Sequence, residues 1–542
     1  MSAHQPWSKK LNWGFEGTRM EREPQFVAQS PVEKLALRAN EILPRRLVTW
    51  LLGSMLLYVI IREIIAAATN PLFFDEILTL AVSSQSIVSG MWTALSRSVD
   101  GQPPMFYLIE RAFTGILGNT QVALRLPSVL SMAGTMVCIF LYIRRRHHEW
   151  IAFLCTMLLM VTSLFLNYAA NARPYSLLMA CIAFALVCYD RLPSFGWAIL
   201  FGFSLALAQG VYYFAIFAVL PFALAEVVVL IETKRIRWQA WFAFVFCGLP
   251  LIIFWPLLSH MRTYYGSRYW VPTASVTSVP KFYGSYLFLG AAYAGALIVV
   301  LFAGVIGSHF LRRQEQSKSK TIRVDGVLIL SFLALPIIAL VVTRILRAGM
   351  LDRYVLATIF GVCLATACLL ARATLSTVLL FALFLGSSVG LHEISFWRGI
   401  HGIHPRSETT SVEQFIETAG HAELPVVVSD GLSYLSLNYY ASPEWSKRFV
   451  FVGDADLAAT YVATDSVDKN VMDLRPYLPI HASEFSEFMS THSEFLLYCE
   501  DPGFGFGWLP YHLSRGPWSL RVYRKAPNRT LYLVTQTEGA LR

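Results

Sequence analysis

Charged residues are scarce in this 542-residue sequence, where Asp, Glu, Lys and Arg together make up 15% of the chain. Soluble globular proteins usually carry about 25% charged residues, whereas hydrophobic residues here reach 55%. This composition excludes an ordinary soluble globular protein of this length. It predicts a chain that crosses a membrane many times, because runs of about 18 to 20 apolar residues suffice to span a hydrocarbon core of about 30 Å.

Cysteine and glycine patterns exclude further classes of protein. Seven of the eight cysteines lie in apolar stretches and only Cys499 lies in the more polar C-terminal part, so no disulfide framework is predicted. The sequence has no glycine-rich phosphate loop, and we predict neither a nucleotide site nor a nucleic-acid partner. The first 46 residues are polar and net basic, which predicts a cytoplasmic tail rather than a cleavable signal peptide.

Apolar runs recur from Leu47 to Leu391, and charged residues return beyond them. We therefore predict a polytopic α-helical membrane protein with a C-terminal α/β soluble domain. The predicted divisions are a basic tail over 1–46, a membrane domain over 47–391 and a soluble domain over 392–542. About eleven spans are predicted, at 47–65, 124–143, 149–168, 174–190, 195–209, 211–231, 239–258, 283–311, 326–343, 354–371 and 374–391.

The distribution of Lys and Arg predicts the orientation of these spans. Basic connectors such as Arg144–Arg146 and Lys234–Arg237 alternate with connectors that hold fewer basic residues, which places the basic ones in the cytoplasm. The alternation requires Met105–Leu117, which carries charges in its middle, to lie in the membrane interface as an amphipathic helix. The loop over 66–123 and the C-terminal domain are then predicted to face away from the cytoplasm.

The C-terminal part shows the patterns of a small α/β layer. Leu424–Asp430, Phe449–Gly453 and Phe495–Tyr498 are typical of buried strands. Gly431–Tyr440 is typical of a helix that follows the first strand. Asp430, at the carboxyl end of that strand, is either the cap of this helix or a ligand-binding residue.

Two adjacent carboxylates, Asp75 and Glu76, follow the first span at the depth where lipid headgroups meet water. A carboxylate in that setting is costly unless it is used. One interpretation is a general base that acts on a lipid-linked substrate, and a solvated turn is the other. Later in the loop, Asp100 precedes Pro103 and Pro104, and it is either the cap of a helix that begins there or a substrate ligand.

Arginine and tyrosine occur together at the outer ends of three later spans. Each pair alone is typical of an interfacial aromatic belt with snorkelling arginines. Three pairs on one face favour a phosphate site, because guanidinium binds phosphate oxygens bidentately and tyrosine adds a hydroxyl donor and a ring that stacks on a sugar. The residues predicted to bind the phosphate of a donor are Arg173, Tyr175, Arg268, Arg353 and Tyr354.

Five motifs follow one another in a fixed order along the chain. They are Phe74-Asp75-Glu76, Gln102-Pro103-Pro104 with Tyr107, Arg125-Leu126-Pro127-Ser128, Arg173-Pro174-Tyr175 and Arg353-Tyr354. The set resembles the polyprenyl-phosphate-sugar-dependent glycosyltransferases of the GT-C superfamily over about 50–391. The likeness is strongest to bacterial proteins of the protein-mannosyltransferase and lipid A aminoarabinose-transferase type, including the group that glycosylates rhizobial lipopolysaccharide cores.

The resemblance implies roles for individual residues of the first loop. Asp75 takes the position of the family's candidate base or acceptor-positioning group. Glu76 is either a second catalytic candidate or the partner of an arginine. Many relatives carry His or Lys where this chain has Gln102, and since an amide can only hydrogen-bond, no metal and no other cofactor is predicted there. The residues predicted to contact substrate are Asp100, Gln102, Tyr107 and Tyr265.

The predicted function is an inverting glycosyl transfer at the outer face of the bacterial cytoplasmic membrane. A base takes the proton of an acceptor hydroxyl while arginines and tyrosines stabilise the leaving polyprenyl phosphate. The acceptor is a glycolipid, a lipopolysaccharide or a protein, and neither it nor the sugar is determined by these motifs. A transporter or flippase is one alternative, although such proteins usually keep their charges near the bilayer midplane. The other is an inactive member that only binds a lipid-linked sugar.

Overall fold

The computed structural model describes residues 46–162, 167–268, 271, 275–286, 321–346, 349–400, 404–418, 420–500 and 507–537. Of these, the residues between 46 and 400 form a helical domain, and those from 404 onward form a C-terminal domain built on one sheet. The helices of the helical domain are Arg46–Thr69, Phe74–Ser83, Val88–Ser96, Pro104–Leu117, Gln121–Arg144, Glu149–Met157, Tyr175–Tyr189, Phe195–Val211, Ala215–Thr233, Trp238–Ile253, Trp255–Tyr265, Ser278–Lys281, Thr321–Leu333, Leu335–Ile345, Thr358–Leu370 and Leu375–Ile400.

Length and apolar composition decide which of the described helices can cross a membrane. Four single helices qualify, namely Arg46–Thr69, Gln121–Arg144, Ala215–Thr233 and Leu375–Ile400. Two pairs qualify together although they are bent by 54° and 55°, namely Trp238–Ile253 with Trp255–Tyr265, and Val324–Leu333 with Leu335–Ile345. Six spans result if each bent pair is one span, and the shorter apolar helices are Glu149–Val161, Tyr175–Tyr189, Phe195–Val211 and Thr358–Leu370.

The four single helices, the two bent pairs and the four shorter helices lie at ten of the eleven predicted spans. Most of the remaining one, 283–311, lies outside the described residues. The count of eleven therefore stays a prediction. The segment expected to lie in the interface is the helix Pro104–Leu117, and the last helix continues to Ile400, so the predicted domain boundary at 391 falls inside a helix.

A close helix contact lies at the bend between Leu333 and Leu335. A Cβ atom on Gly361 would lie 2.8 Å from the backbone nitrogen of Leu333, so this approach of the helix Thr358–Leu370 requires glycine. The contact fixes the beginning of that helix. The short turn Asp352–Val355, which carries one of the arginine and tyrosine pairs, is just before it.

Ion pairs join the connectors at the end of the helical domain where Gln121–Arg144 terminates. Arg146 lies 2.7 Å from Asp190 and 3.2 Å from Asp325, which links three connectors. Arg237 pairs with the buried Glu226 at the end of another helix. The basic residues that predicted the cytoplasmic face therefore hold this end together, and the first loop lies at the other end.

The first loop, residues 70–120, folds into three helices rather than an open loop. The first of them, Phe74–Ser83, begins with one half of a capping box, in which the Glu76 carboxylate accepts the backbone N–H of Phe73 at 3.2 Å. Asp75 and Glu76 thus lie in the first turn of a helix, where the backbone dipole favours negative charge. The predicted solvated turn is wrong, since Glu76 is fully buried.

The third helix of the loop, Pro104–Leu117, begins with Pro104 at its first position, as predicted from the paired prolines. Asp100 does not cap this helix. Its carboxylate accepts the backbone N–H of Gly101 at 2.6 Å and forms an ion pair with Arg173. The interpretation of Asp100 as a helix cap is therefore wrong.

The C-terminal domain contains a six-stranded sheet in the order β3-β2-β1-β4-β6-β5. The strands are β1 Val426–Val428, β2 Phe449–Gly453, β3 Ala482–Glu484, β4 Glu494–Glu500, β5 Trp518–Ala526 and β6 Arg529–Gln536. Strands β3, β2, β1 and β4 run parallel, and β6 and β5 are antiparallel to their neighbours. The helices are Ser407–Glu417, Gly431–Tyr440, Pro443–Arg448, Ala455–Val462, Ser466–Asp473, Phe485–Thr491 and Leu509–Leu513.

The predicted α/β layer is confirmed in its central part. Strand β1 lies within the first predicted strand, β2 has the bounds of the second, and β4 extends beyond both ends of the third. The helix Gly431–Tyr440 has the predicted bounds. Asp430 caps that helix, because its carboxylate accepts the N–H of Ser433 at 2.9 Å. Strands β3, β5 and β6 were not predicted. Strands β3 and β5 show no continuous apolar run, whereas β6 contains the run Leu531–Val534, which is as long as the predicted Phe495–Tyr498.

Candidate active site

The two adjacent carboxylates of the first loop have different surroundings. Glu76 is fully buried and forms a two-pronged ion pair with Arg125, with distances of 2.7 and 2.5 Å. It also accepts the backbone N–H of Ala172 at 2.7 Å. Every oxygen of Glu76 is thus engaged by the protein, and it joins the start of the Phe74–Ser83 helix to the segment before Arg173.

Arg125 completes this buried unit. It donates hydrogen bonds to the carbonyl oxygens of Ala67, Asn70 and Pro71 at 3.0, 2.7 and 2.9 Å. The residue was predicted only as part of a motif that opens the second span. Its burial and its five donated hydrogen bonds show instead that it holds the end of the first helix against the first loop.

Asp75 faces a different group of residues. One of its carboxylate oxygens lies 3.9 Å from the Arg173 Nε and 3.9 Å from a terminal nitrogen of Arg353. Its side chain is 28% exposed, whereas those of Glu76 and Asp100 are 0% and 4% exposed. Among these three carboxylates, Asp75 is therefore the one that a substrate can reach without displacing an ion pair at hydrogen-bond distance.

Arg173 is held on one side by the first loop. Its terminal nitrogens lie 2.5 and 3.3 Å from the two oxygens of Asp100, and one of them also donates to the Thr79 hydroxyl at 3.1 Å. The same nitrogen donates to the backbone carbonyl of Asp75 at 3.0 Å. The Arg173 Nε, which faces Asp75, has no hydrogen-bond partner within the part of the chain that the structure describes. Arg173 therefore connects the two segments that carry Asp75 and Asp100.

Aromatic rings form the other side of this group. The Arg353 guanidinium carbon lies 5.8 Å from the centre of the Tyr175 ring, which lies 4.4 Å from the ring of Tyr168 and 5.5 Å from that of Tyr212. The hydroxyls of Tyr175 and Tyr212 are buried and have no hydrogen-bond partner among the described residues. Tyr354 stacks on Phe214 at 3.7 Å beside them.

Burial shifts two titratable groups at the margin of this site. It raises the pKa of Asp352, next to Arg353, to about 6, although the positive charges of Lys281 and Arg353 oppose the rise. It also raises the pKa of Tyr107 well above its ordinary value, and the nearby Asp100 carboxylate adds to this rise. Tyr107 therefore stays neutral beside Asp100, and Asp352 loses its charge in mildly acidic solution.

The structure brings together most, but not all, of the residues predicted for the site. Contacts link Asp75, Asp100, Arg173, Arg353 and Tyr175, with Tyr107 beside Asp100. Arg268 is half exposed and pairs with Asp456 of the C-terminal domain at 3.0 Å. Tyr265 contacts Asn470 of that domain, and Gln102 is half-buried without a side-chain hydrogen bond to any described residue.

Tyr168, Thr79 and Tyr212 belong to this neighbourhood and were missed from the sequence. Thr79 lies four positions after Asp75, and this spacing puts both on one helix face, so the sequence did contain a signal. Tyr212 lies at the end of an apolar helix and carried no signal that separates it from an interfacial tyrosine. In the described ranges no group of three or more His, Cys, Asp and Glu side chains lies close enough to hold a metal ion.

Comparison with known proteins gives a family match and a similar fold. The family model of dolichyl-phosphate-mannose-protein mannosyltransferases matches residues 101–260. The fold is similar to that of ArnT from Cupriavidus metallidurans in the apo state, at a TM-score of 0.56 and 13% identity, over 89% of this chain and 97% of that one. The same protein bound to undecaprenyl phosphate gives a TM-score of 0.55 at 13% identity, over 90% and 98% of the two chains.

No curated relative matches the sequence closely enough to compare. The resemblance to GT-C glycosyltransferases of the protein-mannosyltransferase and ArnT type is nevertheless confirmed by the family match and by the fold. The likeness extends beyond the membrane helices, because coverage of 89% of the chain must include at least part of the C-terminal domain.

Proposed function

We propose that this protein is an inverting glycosyltransferase that moves a sugar from a polyprenyl phosphate to an acceptor hydroxyl. The observation that carries the proposal is the partly exposed Asp75 carboxylate between Arg173 and Arg353, at the end of a helical domain with several apolar helices long enough to cross a membrane. The family match and the fold support a lipid-linked donor, since the similar ArnT structure is bound to undecaprenyl phosphate.

Asp75 has the role of general base in this proposal. It takes the proton from the acceptor hydroxyl while that oxygen forms a bond to the anomeric carbon. The bond from the anomeric carbon to the phosphate oxygen breaks on the opposite face, and the polyprenyl phosphate leaves with the electron pair. Inversion follows because a single displacement takes place. Glu76 is excluded from this role by its engaged oxygens and supports the loop instead.

Arg353 is the residue proposed to bind the phosphate. It is partly exposed and lies beside Asp75 and the tyrosine rings, and a planar guanidinium matches phosphate oxygens. The buried hydroxyls of Tyr175 and Tyr212 would donate to the phosphate or to the sugar. Arg173 acts through Asp75 and Asp100 as a positioning residue, and Arg268 does not belong to this group.

The proposed setting is the outer face of a bacterial cytoplasmic membrane, with the C-terminal domain on the same side. The first loop and the C-terminal domain touch, so they lie on one side of the helical domain. The basic connectors at the other end suit the cytoplasmic side. A glycolipid, a lipopolysaccharide or a protein is the acceptor.

The test uses purified protein in lipid nanodiscs, incubated with envelope extract from a strain that lacks the protein. The extract supplies donors and acceptors, and mass spectrometry detects acceptors that have gained one sugar. Asp75→Asn should reduce the rate by about 10² to 10⁴ because asparagine cannot accept the proton. Glu149→Gln, which removes a carboxylate at the other end of the helical domain, is the matched control. Normal transfer by Asp75→Asn would refute the base assignment, and no transfer by the wild-type protein would refute the proposed activity.

A further inference from the structure

The C-terminal domain touches the first loop just before the helix that carries Asp75. The hydroxyl of Tyr440, the last residue of the helix Gly431–Tyr440, accepts the backbone N–H of Leu72 at 2.7 Å. The same hydroxyl donates to the Gln121 side chain at 2.9 Å, and Gln121 in turn donates to the Ala68 carbonyl at 2.5 Å. One hydroxyl of the C-terminal domain thus joins both ends of the first loop.

A second contact holds the segment that carries Asp100. The Tyr265 hydroxyl donates to the carbonyl oxygen of Ser98 at 2.8 Å and contacts the side chain of Asn470 in the C-terminal domain. The adjacent Tyr264 donates to Asp473 at 2.5 Å. The helix Ser466–Asp473 therefore fixes Tyr264 and Tyr265, and through Tyr265 it fixes the loop.

The backbone of Ser98 shows why this segment needs an outside contact. Ser98 has a φ of +60°, in the left-handed region that a serine rarely adopts. Such a conformation is unfavourable and persists only where the surrounding structure enforces it. Asp100 is two residues further on, and it binds Arg173 with both carboxylate oxygens. A change at Ser98 would therefore move the partner of Arg173.

We propose that the C-terminal domain is a positioning element for the active site. Tyr440 holds the segment before Asp75, and Asn470 with Tyr265 holds the segment before Asp100. Between them these contacts fix the spacing of the two carboxylates on either side of Arg173. The expected effect on transfer rests on the proposed function. The expected effect on the order of the first loop does not.

The first experiment measures hydrogen exchange in peptides that cover residues 70–78, in wild type and in Tyr440→Phe. The variant keeps the ring and loses only the hydroxyl, so the Leu72 N–H loses its acceptor, and exchange in this segment should rise by about five- to tenfold. Tyr439→Phe is the matched control, since Tyr439 is the preceding residue and its hydroxyl makes no hydrogen bond to the described residues. Tyr265→Phe should have the same effect on peptides that cover residues 97–103.

The second experiment measures the kinetics of transfer by the same variants. Tyr440→Phe and Tyr265→Phe should lower kcat by about five- to tenfold and leave KM within about twofold, because the donor site keeps its residues. Unchanged exchange in both variants would overturn the inference, and so would faster exchange with an unchanged kcat. If the wild-type protein transfers no sugar, the proposed function fails, and the exchange measurement alone decides whether the domain holds the loop. If Tyr440→Phe does not fold, Asn470→Ala removes the contact of the C-terminal domain with the Tyr265 hydroxyl. Faster exchange over residues 97–103 in this variant would support the inference, and unchanged exchange would overturn it.

Discussion

Removing the negative charge of Glu76 should destabilise the protein far more than removing that of Asp75. Glu76→Gln keeps the size of the side chain, but its amide nitrogen would face donors of Arg125 or the Ala172 N–H. The guanidinium would then be buried opposite a neutral group. The amide oxygen of the glutamine and the three backbone carbonyls that Arg125 already binds would remain as its acceptors.

The magnitude follows from the burial of the pair. Breaking a buried ion pair by removing one partner costs about 3–5 kcal/mol. The three remaining carbonyls place the expected loss in the free energy of unfolding near the lower value, about 3 kcal/mol. The Asp75 ion pairs are longer, at 3.9 Å, and the side chain is 28% exposed. Asp75→Asn should therefore change the free energy of unfolding by less than about 1 kcal/mol.

Denaturant unfolding in detergent, followed by tryptophan fluorescence, measures both variants on the same scale. The transfer assay on the same samples separates stability from catalysis. We expect Asp75→Asn to be stable and inactive, and Glu76→Gln to be destabilised while the fraction that stays folded transfers sugar. The reasoning is refuted if Glu76→Gln is as stable as the wild type and as inactive as Asp75→Asn.

Three further predictions concern the arginines, the C-terminal domain and the topology. Arg353→Lys should weaken donor binding or lower turnover by about tenfold, because lysine loses the bidentate fork, whereas Arg268→Lys should match the wild type in the same binding assay. Burial raises the pKa of Asp468 to about 7. The Asp468 carboxyl loses its proton at a lower pH in the unfolded chain than in the folded protein. The free energy of unfolding should therefore fall by up to about 4 kcal/mol as the pH rises from about 4 to about 7. Asp468→Asn should flatten this fall in urea unfolding curves, and an unchanged slope would contradict the assignment. A reporter that works only in the cytoplasm, fused after Arg542, should be inactive, and its activity would invert the proposed orientation.

Local composition was enough to predict the broad architecture. A membrane helix needs only an apolar run of sufficient length, and the helices of the described part lie where such runs occur. The parallel strands β1, β2 and β4 were equally visible, because strands buried on both faces are continuously apolar. The bends in two spans were not predicted, although each has a proline, Pro256 or Pro336, at the second position of its second helix, and proline is a common cause of a kink.

The sequence also predicted which short segments form the proposed site, but not what each residue contacts there. Asp75 and Glu76 are neighbours in the chain, yet successive residues of a helix point about 100° apart, and only the packed structure shows that one faces Arg125 and the other Arg353. The contacts of Arg125, Arg268 and Tyr440 could not be predicted from the sequence for a similar reason. Their roles depend on partners 49 to 368 residues away in the chain, and the tertiary structure alone brings such partners together.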